Sequence, residues 1–327
     1  MTQRPLRWTS AVAEALLLGS IALSAPLHAQ DFPNRPLRMI VPFASGSVTD
    51  IVARLVATGM GERLKQPVTV ENRLGAGGIV GGTALMRAAP DGYTVGLLVA
   101  GNSIQTWVVK DMPFDVRKDF MHITQMYAGY SALLVAKDFP AQNLAEFIAW
   151  TRANPGKAFF GSSGAATTTH LAGELLKDAA KIDITHVPFK GSPEVVTALL
   201  SGSIQTYFDL YGTAKPLLDS GKVRALAVTS LKRMAELPNV PALAETYSGF
   251  EIAARVGLAA PLGTPKAVHD KLVAETRAAL QQPEIRKRIT DLGIEPGGNT
   301  PAEYAKGIAE DTEKWGRAVR AAGLKPE

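Results

Sequence analysis

Residues 40–50 read IVPFASGSVTD, and residues 158–174 read AFFGSSGAATTTHLAGE. In each stretch, strand-forming residues give way to several small residues, and hydroxyl-bearing residues then open a helical pattern. A helix N-terminus presents unpaired backbone N–H groups and partial positive charge. Two such turns that face each other would make a place for an anion.

Strand and helix signals alternate along the chain on both sides of these stretches. In the first part, residues 37–43, 67–72 and 93–100 read as strands, with helical patterns at 48–64 and 78–90. In the second part, strand patterns at 130–136, 158–163, 184–189, 204–209 and 223–230 alternate with helical patterns at 143–156, 169–180 and 192–202. The order predicts an α/β fold with parallel strands and helices on both faces, followed by a mostly helical tail.

Because the alternation of strands and helices occurs in both parts of the chain, it predicts two α/β lobes with a central ligand cleft. We expect one lobe from residues 30–129 and 251–327 and a second lobe from residues 130–250, joined by two crossing segments. Ligands prefer clefts between domains and the carboxyl ends of strands in open α/β sheets. Both small-residue turns follow predicted strand ends.

The composition excludes several classes of protein. The chain has 327 residues, 46% of them hydrophobic, a formal charge of +5 and no cysteine. Without cysteine there is no disulfide scaffold, thiolate metal site or thiol chemistry. Basic residues form no long run and do not interleave with aromatic residues, which argues against a nucleic-acid partner.

The N-terminus has the pattern of a secretory signal peptide. Arg4 and Arg7 precede an apolar segment at residues 11–26, and the sequence LHAQ follows. The pattern predicts a signal peptide at residues 1–29, export to the periplasm and no stable insertion in a membrane. A membrane anchor or a buried helix is the alternative, but the apolar run is shorter than the roughly 20 residues a span needs.

The first turn offers backbone and hydroxyl donors. Gly46 is suited to a positive φ and to close approach of a ligand, and Ser45, Ser47 and Thr49 add hydroxyls. Asp50 falls in the first helical turn, where a carboxylate complements the helix dipole. The alternative is an ordinary strand-to-helix connection in which the hydroxyls only cap the helix.

Further candidates lie at other predicted strand ends. The turn at residues 161–169 is rich in Ser, Gly and Thr, and His170 follows it as either an anion donor or a packed cap. A third small-residue turn, at residues 101–103, ends the strand at 93–100. Asp209 ends a strand beside two tyrosines, and Lys190 follows another strand as either a counter-charge or a solvated lysine.

Enzyme motifs are weak. The Gly-rich stretch at residues 75–80 lacks the third glycine of a dinucleotide fingerprint, and residues 161–164 lack the G-x-S-x-G spacing of a nucleophile elbow. The histidines have no metal-ligand spacing. We therefore predict a protein that is not an enzyme and needs no cofactor or metal. A hydrolase with Ser162 or Ser163 as nucleophile and His170 as base is the alternative.

Distinctive motifs recur in order from about Phe32 to Leu324. They include PNRPLRMIVPFASGSVTDIVARLVA, VTVENRLGAGGIVGG, APDGYT, PFDVRKDF, GSSGAATTTHLAGELL, THVPFKGSPEVVTALLSG and LPNVPALAE. Together they resemble the Bug/TctC family of periplasmic solute-binding proteins, which are linked to tripartite tricarboxylate transporters. One departure is that relatives usually have two glycines in the first turn, where this chain has Ser45-Gly46-Ser47.

The resemblance implies a type II periplasmic binding fold whose two lobes close on a small carboxylate. It implies that backbone N–H groups and hydroxyls of the first turn and of the turn at residues 162–168 hold the carboxylate, and that Asp209 faces the cleft. Combined with the candidates above, the expected ligand-binding residues are Phe43, Ser45, Gly46, Ser47, Gly101, Asn102, Ser103, Ser162, Ser163, Gly164, Ala165, Thr167, Thr168, His170 and Asp209.

The expected function is that of a monomeric receptor that delivers its ligand to membrane transporter subunits. Closure would follow from a ligand that contacts both lobes and so favours the closed state. A ligand-sensing partner of a signalling system, without a role in transport, is the remaining alternative.

Overall fold

The computed structural model describes residues 32–189 and 191–326. The predicted signal peptide at residues 1–29 and Lys190 therefore lie outside the described residues. The chain divides into Met1–Asn34 and a compact unit, Arg35–Glu327, which contains every element named below. No helix in the described ranges is both long enough and apolar enough to span a membrane.

Strands and helices alternate broadly as the sequence predicts. The helices at Ala100–Val108 and Tyr211–Asp219 and the strand at Ala253–Pro261 were not predicted, and the strand expected at residues 130–136 begins at Phe120. The strands are β1 (Leu37–Val41), β2 (Val68–Asn72), β3 (Thr94–Val99), β4 (Phe120–Ala136), β5 (Phe159–Ser162), β6 (Thr185–Pro188), β7 (Thr206–Leu210), β8 (Val223–Val228), β9 (Ala253–Pro261) and β10 (Glu295–Pro296). The helices are α1 (Val48–Leu64), α2 (Ile79–Met86), α3 (Ala100–Val108), α4 (Leu144–Ala153), α5 (Thr168–Ala180), α6 (Ser192–Leu200), α7 (Tyr211–Asp219), α8 (Lys266–Leu280), α9 (Pro283–Asp291) and α10 (Pro301–Ala321). Short 3-10 turns lie at Ala76–Gly78 and Leu243–Glu245.

The strands form two sheets that share β4. In the first sheet the order is β2-β1-β3-β9-β4, with β10 on the far side of the N-terminal half of β4. In the second sheet β7 and β8 pair with the C-terminal half of β4, and β5 and β6 continue from β7. β4 is 17 residues long and changes partners between Tyr130 and Ser131. The fold thus consists of two α/β sheets, each with its own helices, joined by the continuous strand β4.

Strand direction brings two sets of carboxyl ends together. β1 and β3 are parallel to each other, and β9 is antiparallel to both β3 and β4, so β1 and β3 point the same way as β4. In the second sheet β7 is antiparallel to β4 and parallel to β5, so both point against β4. The carboxyl ends of both sheets therefore converge on the middle of β4, the edge where ligands bind in open α/β sheets.

Each sheet has its own buried core, and α10 enters both. Tyr304 and Ile308 of α10 pack with Ile40 in the core of the first sheet. Trp315 and Val319, about two and three turns after Ile308, lie in a core that contains residues of the second sheet and its helices, such as Phe160 and Leu171. The C-terminal tail was expected to lie with the first sheet, whereas its last helix contacts elements of both.

The segment at residues 101–103 differs from the sequence-based expectation. The small residues of Gly101, Asn102 and Ser103 predict a turn, but they form the first turn of α3, which begins directly after β3. The Asn102 side chain accepts a hydrogen bond from the Val99 N–H at 3.0 Å, a short-range bond that lets strand pass into helix without a loop.

Candidate functional site

The first turn, residues 42–47, is organised around the buried carboxylate of Asp50. This carboxylate accepts hydrogen bonds from the Gly46 N–H at 2.9 Å, from Asn72 at 2.8 Å and from two nitrogens of Arg54 at 2.9 and 3.0 Å. Asn72 also donates to the Phe43 carbonyl at 2.9 Å. Asp50 thus fixes the path of the turn from the helix side.

The same contacts set the charge of Asp50. Burial acts to raise its pKa, but hydrogen bonds from Arg54, Asn72 and Gly46 outweigh burial and hold the pKa at about 2. The carboxylate is therefore ionised at neutral pH. Arg54 neutralises its charge, and hydrogen bonds from Gly46 and Asn72 hold the carboxylate against the first turn.

The first turn leaves donors unpaired on its outer side. Ser47 caps α1 by accepting from the Asp50 N–H at 3.2 Å. Within the described residues, the backbone N–H groups of Val48 and Thr49 and the Ser45 hydroxyl have no partner. Gly46 has φ of +82°, and a Cβ there would meet nothing within 4 Å. Gly46 is therefore required by backbone conformation rather than by space in the ligand-free turn.

The second turn, residues 163–167, is held by its own hydroxyls. Thr167 caps α5, and its hydroxyl lies 2.7 Å from the Gly164 carbonyl and 2.9 Å from the Thr169 hydroxyl. Thr169 in turn accepts from the Ser163 N–H at 3.0 Å. The backbone N–H groups of Ala165 and Thr168 and the Thr168 hydroxyl find no partner among the described residues. As in the first turn, the free donors surround a helix N-terminus.

Two predicted site residues support the second turn from beneath. Ser162 is fully buried, and its hydroxyl contacts His186 at 2.6 Å and the Gly164 carbonyl at 2.9 Å. His170 is 4% exposed and accepts a hydrogen bond from the Ala166 N–H at 3.1 Å. Both side chains are buried and hydrogen-bonded within the protein, so they support the second turn and are not exposed to a ligand.

This arrangement bears on the hydrolase alternative. Ser162 pairs with His186 and not with His170, and its hydroxyl is sealed from solvent. Ser163 hydrogen-bonds to Thr169 at 3.1 Å. Neither serine forms the Ser–His170 pair that the alternative requires. Among residues 32–189 and 191–326, no group of three His, Asp or Glu side chains is arranged to hold a metal ion.

Asp209 lies near the end of β7, on the edge shared with the second turn. Only 3% of the residue is exposed, and Thr213 donates to its carboxylate at 2.7 Å. Burial raises the pKa of Asp209 to about 6, although hydrogen bonds from Thr213, Tyr207 and the Leu210 N–H act to lower it. A neighbouring anion would favour the protonated form further.

Strand register fixes the spacing between the two edges. Val99, at the end of β3, is level with Tyr127 of β4 through Val256, and Asp209 is level with Ala132. Five residues of β4 separate these levels, roughly 17 Å at about 3.3 Å per residue. Tyr127 hydrogen-bonds to Thr49 at 2.7 Å, which anchors the start of α1 to β4.

The predicted site residues therefore fall into three groups. Exposed or half-buried positions of the two turns are Phe43, Ser45, Gly46, Ser47, Ser163, Gly164, Ala165, Thr167 and Thr168. Buried supporting positions are Asn102, Ser103, Ser162, His170 and Asp209. Gly101 is half-buried in α3, where a Cβ would come within 3.1 Å of the Gly77 carbonyl.

The sequence did not single out some residues that shape the site. His186 lies on β6, which pairs with β5 and places His186 opposite Phe160. Asn72 and Tyr127 reach the first turn from other strands. Asn72 and His186 have as their sequence signal a polar side chain at the end of, or within, a predicted strand, whereas Tyr127 precedes the strand predicted at residues 130–136 and has none.

Comparisons with known proteins identify the family and the fold. Residues 52–324 match the tripartite tricarboxylate transporter family receptor, TctC. The periplasmic binding protein BugD is 34% identical with a TM-score of 0.75, and the match covers 90% of this chain and all of BugD. The Rhodopseudomonas palustris protein Rpa4515, solved with adipate, is 31% identical with a TM-score of 0.78, covering 91% of this chain and all of Rpa4515.

A third solved structure, MatC from Rhodopseudomonas palustris with bound malate, is 33% identical with a TM-score of 0.73. The match covers 88% of this chain and all of MatC. BugD is a periplasmic binding protein, and the other two neighbours hold carboxylates, adipate and malate. The family match spans most of the chain and the shared fold spans both sheets, so this protein belongs to the tripartite tricarboxylate transporter (TctC) receptor family.

Proposed function

We propose that this protein is a periplasmic receptor that binds a small carboxylate between its two sheets. The observation that carries the proposal is the convergence of two turns with unpaired backbone N–H groups on the middle of β4. Each turn opens a helix, so partial positive charge adds to the hydrogen-bond donors. Adipate and malate in two relatives support a carboxylate as the ligand class.

The ligand would bind by contacting donors of both sheets. One carboxylate group of the ligand would accept hydrogen bonds from donors on both sheets. On the first sheet these donors lie at Ser45, Gly46 and the start of α1, and on the second sheet they lie at Ala165 and Thr168. Such a ligand gains contacts only when the sheets approach each other, which favours the closed form. Binding by backbone donors needs no metal or cofactor.

Delivery to a membrane transporter is the second part of the proposal. Its support is the family itself, whose description is that of a transporter receptor. Export to the periplasm would be directed by residues 1–29. Deletion of the gene should abolish uptake of the ligand if the receptor serves transport, and should leave uptake intact if it serves only a sensor.

The direct test is calorimetric titration and thermal unfolding of the purified, ligand-stripped protein. Adipate, malate, citrate, aromatic monocarboxylates and the matching uncharged amides form the panel. A ligand at 100 times its Kd stabilises the folded state by about 2.7 kcal/mol. Carboxylates should raise the unfolding midpoint and their amides should not, whereas stabilisation by amides alone would refute the anion site.

A paired variant locates the site. The double change Ser45→Ala and Thr168→Val removes the two unpartnered hydroxyls and should weaken carboxylate binding about tenfold, or about 1.4 kcal/mol. Thr197→Val serves as the control, because that exposed hydroxyl only returns to the Pro193 carbonyl of its own helix. Equal affinities for the two proteins would mean that the carboxylate binds elsewhere.

A further inference from the structure

Two histidines lie face to face beneath the second turn. The rings of His170 and His186 are 3.6 Å apart between centroids and 14° from parallel. Phe160 of β5 lies against the same pair, 5.1 Å from His186 and 6.2 Å from His170. His170 comes from α5 and His186 from β6, so the stack joins the elements that flank the turn.

Both rings are hydrogen-bonded to the turn itself. The Ala166 N–H donates to Nδ1 of His170, so this nitrogen carries no proton and the ring proton is on Nε2, which faces Glu174 at 3.7 Å. Nε2 of His186 lies 2.6 Å from the Ser162 hydroxyl, which also receives the Gly164 N–H at 3.2 Å. Two backbone positions of the turn therefore depend on two imidazoles.

Protonation would oppose this arrangement. A proton on Nδ1 of His170 would meet the Ala166 N–H, and two donors would then face each other. Ala166 has φ of +55°, a left-handed conformation that costs free energy in a non-glycine residue. The hydrogen bond from its N–H to His170 helps to hold this conformation, and protonation of Nδ1 would remove that bond. Protonating both rings would also stack two positive charges.

Among residues 32–189 and 191–326, few charged groups face the pair. Glu174 on α5 faces His170, whereas Phe160 and Ser162 of β5 are uncharged. Burial first, and the charge of His170 second, lower the pKa of His186 to about 4, and Glu174 opposes them. The fold thus keeps His186 neutral at neutral pH, and the ring is protonated only in acid.

We propose that His170 and His186 are positioning residues for the second turn and act as a proton switch on ligand binding. While both rings are neutral, the turn is ordered and presents its free N–H groups to the carboxylate. Protonation in an acidified periplasm loosens the turn and lowers affinity for the ligand. This inference rests on the proposed carboxylate-binding function, whose site it regulates.

The ligand-free protein tests the switch first. Nitrogen-15 NMR should find His170 with its proton on Nε2, and the protection factor of the Ala166 N–H should fall as the pair is protonated. In His170→Asn the amide oxygen replaces Nδ1 as a non-titrating acceptor, so the Ala166 protection factor should become independent of pH. His269→Gln, at a histidine bound to the His122 carbonyl, is the control and should behave as the wild type.

The opposite tautomer of His170, or an unchanged pH dependence in His170→Asn, would overturn the proposal. Both readings are independent of any ligand, so they decide the role of the pair even if no carboxylate binds.

The second arm measures affinity for adipate at pH 7.5 and pH 4.0 in the wild type and in the double variant His170→Asn and His186→Gln. Near pH 4 about half of the His186 rings are protonated, so wild-type affinity should fall at least twofold more than that of the variant. The comparison cancels the titration of adipate itself.

An equal fall in both proteins would overturn the switch and leave the carboxylate site standing. A smaller fall in the wild type would mean that imidazolium attracts the anion directly, which also overturns the switch. Failure of adipate and every other carboxylate to bind at pH 7.5 would refute the proposed function.

Discussion

At the scale of single residues, the first turn depends on one carboxylate. Asp50 is predicted from sequence as an acidic residue that complements the dipole of α1, and it does lie in the first turn of that helix. Asp50 also holds the first turn in place, because its carboxylate accepts hydrogen bonds from Asn72 of β2 and from the Gly46 N–H. Arg54 lies four residues after Asp50, a spacing typical of contacts within a helix, whereas the contact with Asn72 depends on the tertiary structure.

Removal of the Asp50 charge should destabilise the protein in a pH-dependent way. The pKa falls from 3.8 to about 2 on folding, so the stabilisation is fully present above pH 4 and is lost as pH falls towards 2. Asp50→Asn should lower the free energy of unfolding by about 2 kcal/mol at pH 7, and by much less at pH 2.5. Chemical denaturation at both pH values measures the difference.

Asp178→Asn provides the comparison for this prediction. Asp178 pairs with Lys181 at 2.8 Å, and both side chains are more than half exposed. Exposed ion pairs contribute about 0–1 kcal/mol, so the variant should unfold almost as the wild type does. A loss as large as that of Asp50→Asn would show that burial of Asp50 has no special effect.

At the scale of elements, α10 is shaped for the side chain of Trp107. The indole N–H donates to the Thr312 carbonyl at 2.7 Å, and the ring covers Gly316 so closely that a Cβ would come within 2.5 Å of it. This crossing of α3 and α10 joins an element that follows β3 to the last helix of the chain. A glycine in a helix usually weakens it, and here it makes room for the aromatic ring.

Two glycines of α10 should therefore respond in opposite ways to alanine. Gly316→Ala should destabilise the protein by about 1–2 kcal/mol, because overpacking against Trp107 exceeds the gain in helix propensity. Gly307→Ala should stabilise it by about 0.5–1 kcal/mol, because the nearest atom to a new Cβ is Arg255 Cδ at 3.9 Å. Thermal unfolding of both variants is the measurement, and equal shifts would contradict the packing argument.

The helices and strands themselves were largely predictable from sequence. The period of apolar residues predicts α1 with one face formed by Ile51, Val52, Leu55, Val56 and Met60; Val52, Val56 and Met60 are buried, whereas Ile51 and Leu55 are half-buried. The segment at residues 101–103 was predicted as a turn because its residues are typical of turns. A hydrogen bond from Val99 to Asn102 and burial of Asn102 and Ser103 make it helical, and neither is visible in residue types.

At the scale of the whole molecule, one threonine links the long strand β4 to the segment that precedes β9. Thr229 is fully buried, and its hydroxyl accepts from the Ser131 N–H at 2.9 Å and donates to the Ile252 carbonyl at 2.8 Å. Ser131 lies where β4 passes between the sheets, and Ile252 directly precedes β9. Motion of one sheet against the other would act on this point.

Thr229→Val keeps the shape of the side chain and leaves two buried polar groups unpaired. The variant should lose about 1–3 kcal/mol of unfolding free energy. Its amide exchange should rise most at Ser131, because the Ser131 N–H loses its acceptor. Thr58→Val, at an exposed hydroxyl that donates to the Arg54 carbonyl, should change neither quantity. Equal exchange at Ser131 in both variants would mean that Thr229 does not hold β4 to the segment before β9.

The sequence by itself determined most of the order of strands and helices and the two Ser/Gly turns that open helices, because periodicity and backbone conformation act over a few residues. Only the tertiary structure decided which donors of those turns remain free. Asp50, Asn72 and Gly46 come from different elements, and His186 reaches the second turn from β6. Hydrogen bonds between residues distant in the chain depend on strand register and direction, which local sequence does not encode.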